Sequence, residues 1–205
     1  MPDILLWVEG KGERPDPKTG KGGGATVLVR RILQNHLKVY SWGVKAAKVG
    51  DVNAFRRRMP NLIRRLRQRP EVAALVLLDL DDGCAVDVAR ALAQDLRAFS
   101  PPKPIAIAFA VREFEAWFLA AAPSLWNEEY PDDPERKRDA KGEIRRHFLS
   151  EYAPTTHQAS LSAKMDLNQA AARSRSFRRL LHAVEELVQA VKDGRRVVTP
   201  QQNRS

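Results

Sequence analysis

The chain has 205 residues, 43% of them hydrophobic, and 35 Lys and Arg against 25 Asp and Glu give a formal charge of +10. That much apolar material excludes wholesale disorder, and no window reaches the roughly 18 apolar residues of a membrane helix, so a soluble, cytoplasmic protein with no membrane partner is expected. The apolar stretch "ILLWV" is too short for a signal-peptide core and runs into Glu9. The single cysteine, Cys84, cannot form an internal disulfide and reads as a small buried residue at a helix start. The positive excess favours a polyanionic partner such as nucleic acid, against the competing reading that many basic proteins bind none.

In chain order, "DILLWV" (3–8) is a continuous apolar run of the kind buried on both faces of a parallel sheet. A loop rich in Gly, Pro and Lys follows, then a helix over 25–37 and a second strand at "KVYSWGV" (38–44). Asp51 caps a long helix whose apolar positions Val52, Phe55, Met59, Leu62, Ile63 and Leu66 keep helical spacing, with Pro60 expected to kink or divide it. "VAALVLLDL" (72–80) is the third strand, 82–99 the next helix, "PIAIAFAV" (104–111) the fourth strand, and "REFEAWFLAAA" (112–122) a helix. Alternating strands and helices over 1–122 predict an α/β domain with a mostly parallel four-stranded sheet. Beyond Pro123 the strand signals stop. Helices near 135–150, 159–172 and 176–192 are predicted to form a helical C-terminal extension (123–195) packed on the sheet, with 196–205 a frayed tail.

Open α/β sheets carry their sites at the carboxyl ends of strands. Glu9 closes the first strand, Asp79 and Asp81 close the third, and Glu113 and Glu115 follow the fourth. If those strands are neighbours, the acids converge on one rim, where a hard cation such as Mg²⁺ or Mn²⁺ finds oxygen ligands and relieves their mutual repulsion. Two such ions about 4 Å apart hold and polarise a phosphodiester. The bland readings compete at each position. A lone Glu after a strand is commonly a solvated loop residue, Asp82 is expected simply to cap the following helix, and acids at 113 and 115 complement a helix dipole. Within a helix 113 and 115 do not share a face, so only one of them is expected to point at the metals. Coincidence at three strand ends is what favours a site.

The segments "LLWVEGKGE", "VLLDLDDG" and "REFEAWFLA", with the later "YAPTTHQASL" and "SRSFRRLL", resemble the TOPRIM-like family catalogued as domain of unknown function 4276. That family is similar to the TOPRIM folds of topoisomerases, primases and overcoming-lysogenization-defect nucleases. The resemblance implies a TOPRIM-like sheet and a divalent-metal-dependent nuclease, tied to mobile-element or phage defence beside a separately encoded ATPase. It implies Glu9, Asp79 and Asp81 as metal ligands and catalytic residues, and Glu13 as a further acidic position. "FEAW" is similar to the "FE-x-W" of RloB-like TOPRIM proteins, which implies Glu115 as the extra catalytic acid and leaves Glu113 a weaker metal candidate. The alternative is a non-catalytic, nucleic-acid-binding or regulatory module of an ATPase complex.

The remaining features are weaker. "KTGKGGGAT" fails the phosphate-loop order because Gly22 follows Lys21, yet Lys11 and Lys21 remain candidates for a substrate backbone. The arginines of the long helix, Arg57 and Arg64 among them, and Arg178 and Arg179 of "SRSFRRL" are nucleic-acid candidates against the competing reading of solvated faces and helix capping by Ser174 or Ser176. The four histidines show no metal-ligand spacing, and Trp117 and Phe118 read as core. "LLDLDDG" also resembles the haloacid-dehalogenase nucleophile motif, which would make Asp79 a nucleophile and Asp81 an acid/base. That motif usually opens its fold, and no "GDxxxD" follows.

Overall fold

In the computed structural model, which describes residues 2–10, 12–15 and 23–200, five strands form one parallel sheet. They are β1 (Asp3–Val8), β2 (Gly43–Lys48), β3 (Ala73–Leu80), β4 (Ile105–Val111) and the two-residue β5 (Val198–Thr199), in the order β2-β1-β3-β4-β5. The central strands are apolar throughout because both faces are covered. Period-two alternation sends Leu5, Trp7, Val76 and Phe109 to one face, under α2 (Val52–Gln68) and α3 (Ala85–Ala98). Ile4, Leu6, Leu75 and Ala108 go to the other, under α1 (Gly24–Arg31) and α9 (Arg175–Lys192). The helix predicted over 176–192 therefore does return to the sheet, capped by Ser174 Oγ, which accepts from Phe177 N at 2.9 Å.

Several boundaries differ from the sequence reading, each for a local reason. The second strand is Gly43–Lys48, later than 38–44: it runs in register with β1 from Asp3↔Gly43 to Val8↔Lys48, while Tyr40 stays 67% exposed. "GVKAAK" looks unlike a strand because it is an edge, and its lysines blunt that edge. Pro60 does not divide α2, whose 17 residues are continuous. Pro60 is exposed, so the carbonyl left without its donor can turn to water. The predicted 25–37 helix widens its register after Arg31 and closes in a π-helical turn, Ile32–His36, with Leu37 N donating to Ile32 O. Asp82 is not the cap of α3: the helix starts at Ala85 after Gly83 (φ 98°), with Cys84 at the cap position and exposed, correcting the reading of a buried cysteine.

After β4 the predicted single helix is two short ones, α4 (Ala116–Ala120) and α5 (Ala122–Trp126), broken at Ala121 where Pro123 restarts the chain in helical geometry. The later helices are α6 (Ala140–His147), α7 (Pro154–Lys164) and α8 (Leu167–Arg173). Asp166 separates the last two and caps α8 by accepting from Asn168 N and Gln169 N. The tail also corrects: Val198 and Thr199 pair with Ile105 and Ala106, making a fifth strand, and Arg97 donates to the carbonyl of Val198 at 2.9 Å. Residues 201–205 lie outside the described part.

Phe177, Leu180, Val184 and Leu187 of α9 are buried in the same cluster as the sheet residues. Leu187→Ala should therefore cost about 2–5 kcal/mol in urea denaturation. Tryptophan fluorescence and far-ultraviolet dichroism should report one coincident transition; separate transitions would show that α9 is not integral to the sheet's core.

Candidate functional site

The register of the sheet delivers the acids. β1 lies beside β3 with Val8 opposite Leu77, and β3 lies beside β4 with Asp79 opposite Ala110. The chain therefore leaves β1 at Glu9, β3 at Asp79 to Asp81, and β4 at Glu113 to Glu115, on one carboxyl edge of adjacent strands. Glu9 and Asp79 are half-buried and Asp81 is exposed, whereas Glu115 is fully buried. Glu13 folds back from the loop into the same pocket, 7% exposed, with its Oε2 accepting from Gly10 N at 3.0 Å.

The helices after α5 close this pocket from above. Tyr152 Oη and Gln158 Nε2 both donate to Glu115 Oε1, at 2.7 and 2.9 Å. Lys141 Nζ stands 2.9 Å from Glu113 Oε1 and 3.6 Å from Glu115 Oε2, and the Lys141 N–H donates to Glu113 Oε2 at 3.0 Å. Glu113 sits in the turn before α4 and is spent on the first turn of α6; Glu115 is the one facing the other acids. Gln158 packs so close to the chain that a Cβ at Gly12 would lie 2.6 Å from its Oε1, and one at Gly24 would lie 2.6 Å from its Cβ. Glycine at 12 and 24 is thus what lets α7 reach Glu115.

The charges act on one another. Burial pushes the Asp79 carboxyl well above its ordinary range, and the charges of Glu13, Glu115 and Glu9 push it further, Lys141 offsetting part. Burial likewise raises Glu13 to about 7, reinforced by Glu115 and Glu9 and partly opposed by the Gly10 N–H. Glu9 is raised by burial and then by Asp81. For Lys141 burial disfavours the ammonium, but Glu115, Glu113 and Asp79 outweigh it, and its pKa stands above the ordinary value. Tyr152 is held as a neutral donor by burial and by the charge of Glu115.

All these donors are oxygens, which suits Mg²⁺ or Mn²⁺. Glu115 Oε2 is buried without a hydrogen-bond partner among the described residues, an acceptor left open on the pocket side. The residues therefore fit a hard divalent cation. Among the described residues no three acidic, histidine or cysteine side chains already stand at the spacing of a metal-ligand set. Like charges without a cation between them keep apart.

The other candidates scatter. Asp82 is exposed and held by Arg112 Nη1 at 2.8 Å and Arg138 Nη2 at 2.6 Å. Arg57 and Arg64 are exposed on α2; the helix starts at the rim, but Arg64 lies about 20 Å down it. Arg178 caps α8 by donating to the carbonyls of Ala171 and Ala172, and Arg179 lines a separate groove beside β4. Lys11 and Lys21 lie outside the described residues. Sequence reading missed Lys141, Tyr152 and Gln158. Lys141 hides in the charged run "DAKGEIRRH", and the polar tips of Tyr152 and Gln158 carry no motif, so contact with Glu115 is what distinguishes them.

Between pH 4.5 and about 7 the folded protein holds a proton on Glu13 that the unfolded chain has lost. Stability contributed by this group is thus full below pH 4.5 and falls as pH rises through 7, by on the order of 3 kcal/mol. Glu13→Gln should remove that part of the decline in urea midpoints recorded across pH 5 to 8; an unchanged slope would place Glu13 outside the pocket.

A search of curated proteins and a search of solved structures each gave no match. A family model does match, over residues 22–185, a span that holds Asp79, Asp81, Glu113, Glu115 and the helical cap and starts after Glu9 and Glu13. With most of its length inside that match, the chain belongs to the family described as Domain of unknown function (DUF4276).

Proposed function

We propose that this protein is a divalent-metal-dependent nuclease that hydrolyses phosphodiesters of DNA or RNA in a TOPRIM-like manner. The observation that supports it is the delivery of Glu9, Asp79 and Glu115 by three adjacent strand ends into one pocket, with Glu13 folded in beside them and with Asp79 and Glu13 both raised by burial and by the neighbouring acids. Asp79, Glu9 and Glu13 would hold Mg²⁺ or Mn²⁺, with the open Oε2 of Glu115 and the exposed Asp81 completing the set. When bound, the cation would neutralise the phosphodiester and lower the pKa of an attacking water. The chain's own residues do the rest. Tyr152 and Gln158 fix one oxygen of Glu115 so that the other faces the pocket, and Lys141 pairs with Glu113 and stands beside Glu115. Arg57, on the exposed side of α2 within two turns of the rim, is placed to meet a nucleic-acid backbone. A separately encoded ATPase acting on this unit belongs to the same proposal.

One observation favours a second reading, a non-catalytic nucleic-acid-binding module: Lys141 already supplies positive charge to two of the acids. The readings part experimentally. The nuclease should nick supercoiled plasmid or cleave single-stranded DNA or RNA with Mn²⁺, and Asp79→Asn should lose about 10²-fold or more of that activity. Mn²⁺ should raise the melting temperature of the wild-type protein and leave Asp79→Asn unmoved. Equal cleavage by the variant would assign the activity to a contaminant, and salt-sensitive binding without any metal response would select the second reading.

A further inference from the structure

The sheet's two edges are finished differently. β2 ends one side with exposed lysines, but on the other side β5 covers only the first two residues of β4. Above Thr199 the outer edge of β4 has no strand partner among the described residues, and Val111 N reaches only Ser176 Oγ, at 3.5 Å. Ile107 and Phe109 are nevertheless buried. The edge forms the floor of a groove of about 500 Å³, walled by α3 on one face of the sheet and by α9 on the other. A buried strand edge with open N–H and C=O groups calls for a partner.

The walls state what that partner is. The α3 side presents small and apolar residues, Ala85, Val86 and Ala89. The α9 side presents Arg175, Arg179, His182 and Glu186, one helical stripe by its spacing of four, three and four. Arg175 and Arg179 are exposed and form no ion pair among the described residues. Glu186 confines this preference for negative charge to the upper half, where the other lining acid, Glu135, is already engaged by Ser174 Oγ at 2.6 Å and Ser176 N at 2.7 Å. At the lower end Thr199 Oγ1 is buried with no hydrogen-bond partner.

We propose that this slot docks an extended segment of a partner polypeptide, added parallel to β4 in line with β5. Its residues alternate between apolar side chains towards α3 and polar ones towards α9, the latter acidic near Arg175 and Arg179. β5 shows that the slot accepts an extended backbone in this direction. After β5 and Pro200 the remaining sequence, "QQNRS", contains Arg204 and no acidic residue to suit the arginines, so the charge favours a foreign strand.

The test uses the full chain and the peptide acetyl-Thr-Val-Thr-Val-Glu-Val-Glu-amide carrying a fluorophore, read by anisotropy. Saturable binding is expected, weakened about tenfold or more by Arg175→Glu with Arg179→Glu, two exposed positions that leave the core intact. The Lys-for-Glu peptide should bind comparably weakly, and methylation of alternate backbone nitrogens should abolish binding. No saturation up to millimolar peptide, or equal binding of the methylated peptide, overturns the proposal. So does binding that appears only after residues 201–205 are removed, which would assign the slot to the chain's own tail. Binding of AMP where the peptide fails would assign it to a small molecule.

Discussion

Like charge confined at the end of a parallel sheet is the constraint around which this molecule is arranged. Three adjacent strands point their carboxyl ends the same way, so acids placed there meet whether or not the chain can neutralise them. Elsewhere the same chain neutralises buried acids completely. Glu71, at the opposite end of β3, is 1% exposed and held by Arg69 through two bonds of 2.9 Å, and that hydrogen bonding draws its pKa down. Glu143 is lowered chiefly by the hydroxyl of Tyr130, 2.6 Å away. Asp79, Glu13 and Glu9 are all shifted the other way. The fold thus pairs its structural acids and leaves these three raised, the contrast on which the proposed cation site rests.

The helical segment after α5 is therefore part of the site. α6 brings Lys141, α7 brings Gln158, and the turn between them brings Tyr152, and all three converge on Glu113 and Glu115. The geometry is tight on the other side as well. Gly12 and Gly24 let α7 lie against the loop that carries Glu13, and Gly24 N donates to Gly12 O at 2.9 Å. Movement of α7 would disturb Glu13 and Glu115 together, so the cap and the loop behave as one support for the acids.

The sheet was legible in the sequence wherever burial on both faces forced a continuous apolar run, as in β1, β3 and β4. β2 was displaced because an edge strand carries lysines that mimic a loop, and β5 was invisible because two residues give no periodicity. The acids at strand ends were legible because parallel topology turns sequence order into spatial convergence. Lys141, Tyr152 and Gln158 were not, since each meets its acid across 28 to 43 residues of sequence separation. No local pattern carries that information. The break between α4 and α5 was missed because an alanine-rich run is a good helix former up to Pro123, which lacks the N–H to continue α4 and instead opens α5.

The two unfinished features of the molecule lie on one continuous path. β4 supplies the floor of the groove through Ile107 and Phe109, and two residues beyond its end supplies Glu113 to the rim. Between them stands Arg112, whose φ of 70° is unfavourable for a residue with a Cβ. Its N–H donates to Leu80 O at 2.9 Å, and its guanidinium holds Asp82 and the carbonyl of Asp81, tying the exits of β3 and β4 together. Trp117 Nε1 meets Ser176 Oγ at 2.8 Å, the same oxygen that faces Val111 N at the top of the groove. A strand docked along β4 would compete for Val111 N and would press on the Ser176–Trp117 contact, two residues from Glu115. The edge of β4 and the acid pocket are thus separated only by Ser176, Trp117 and Arg112, the contacts through which the proposed partner strand would reach the pocket.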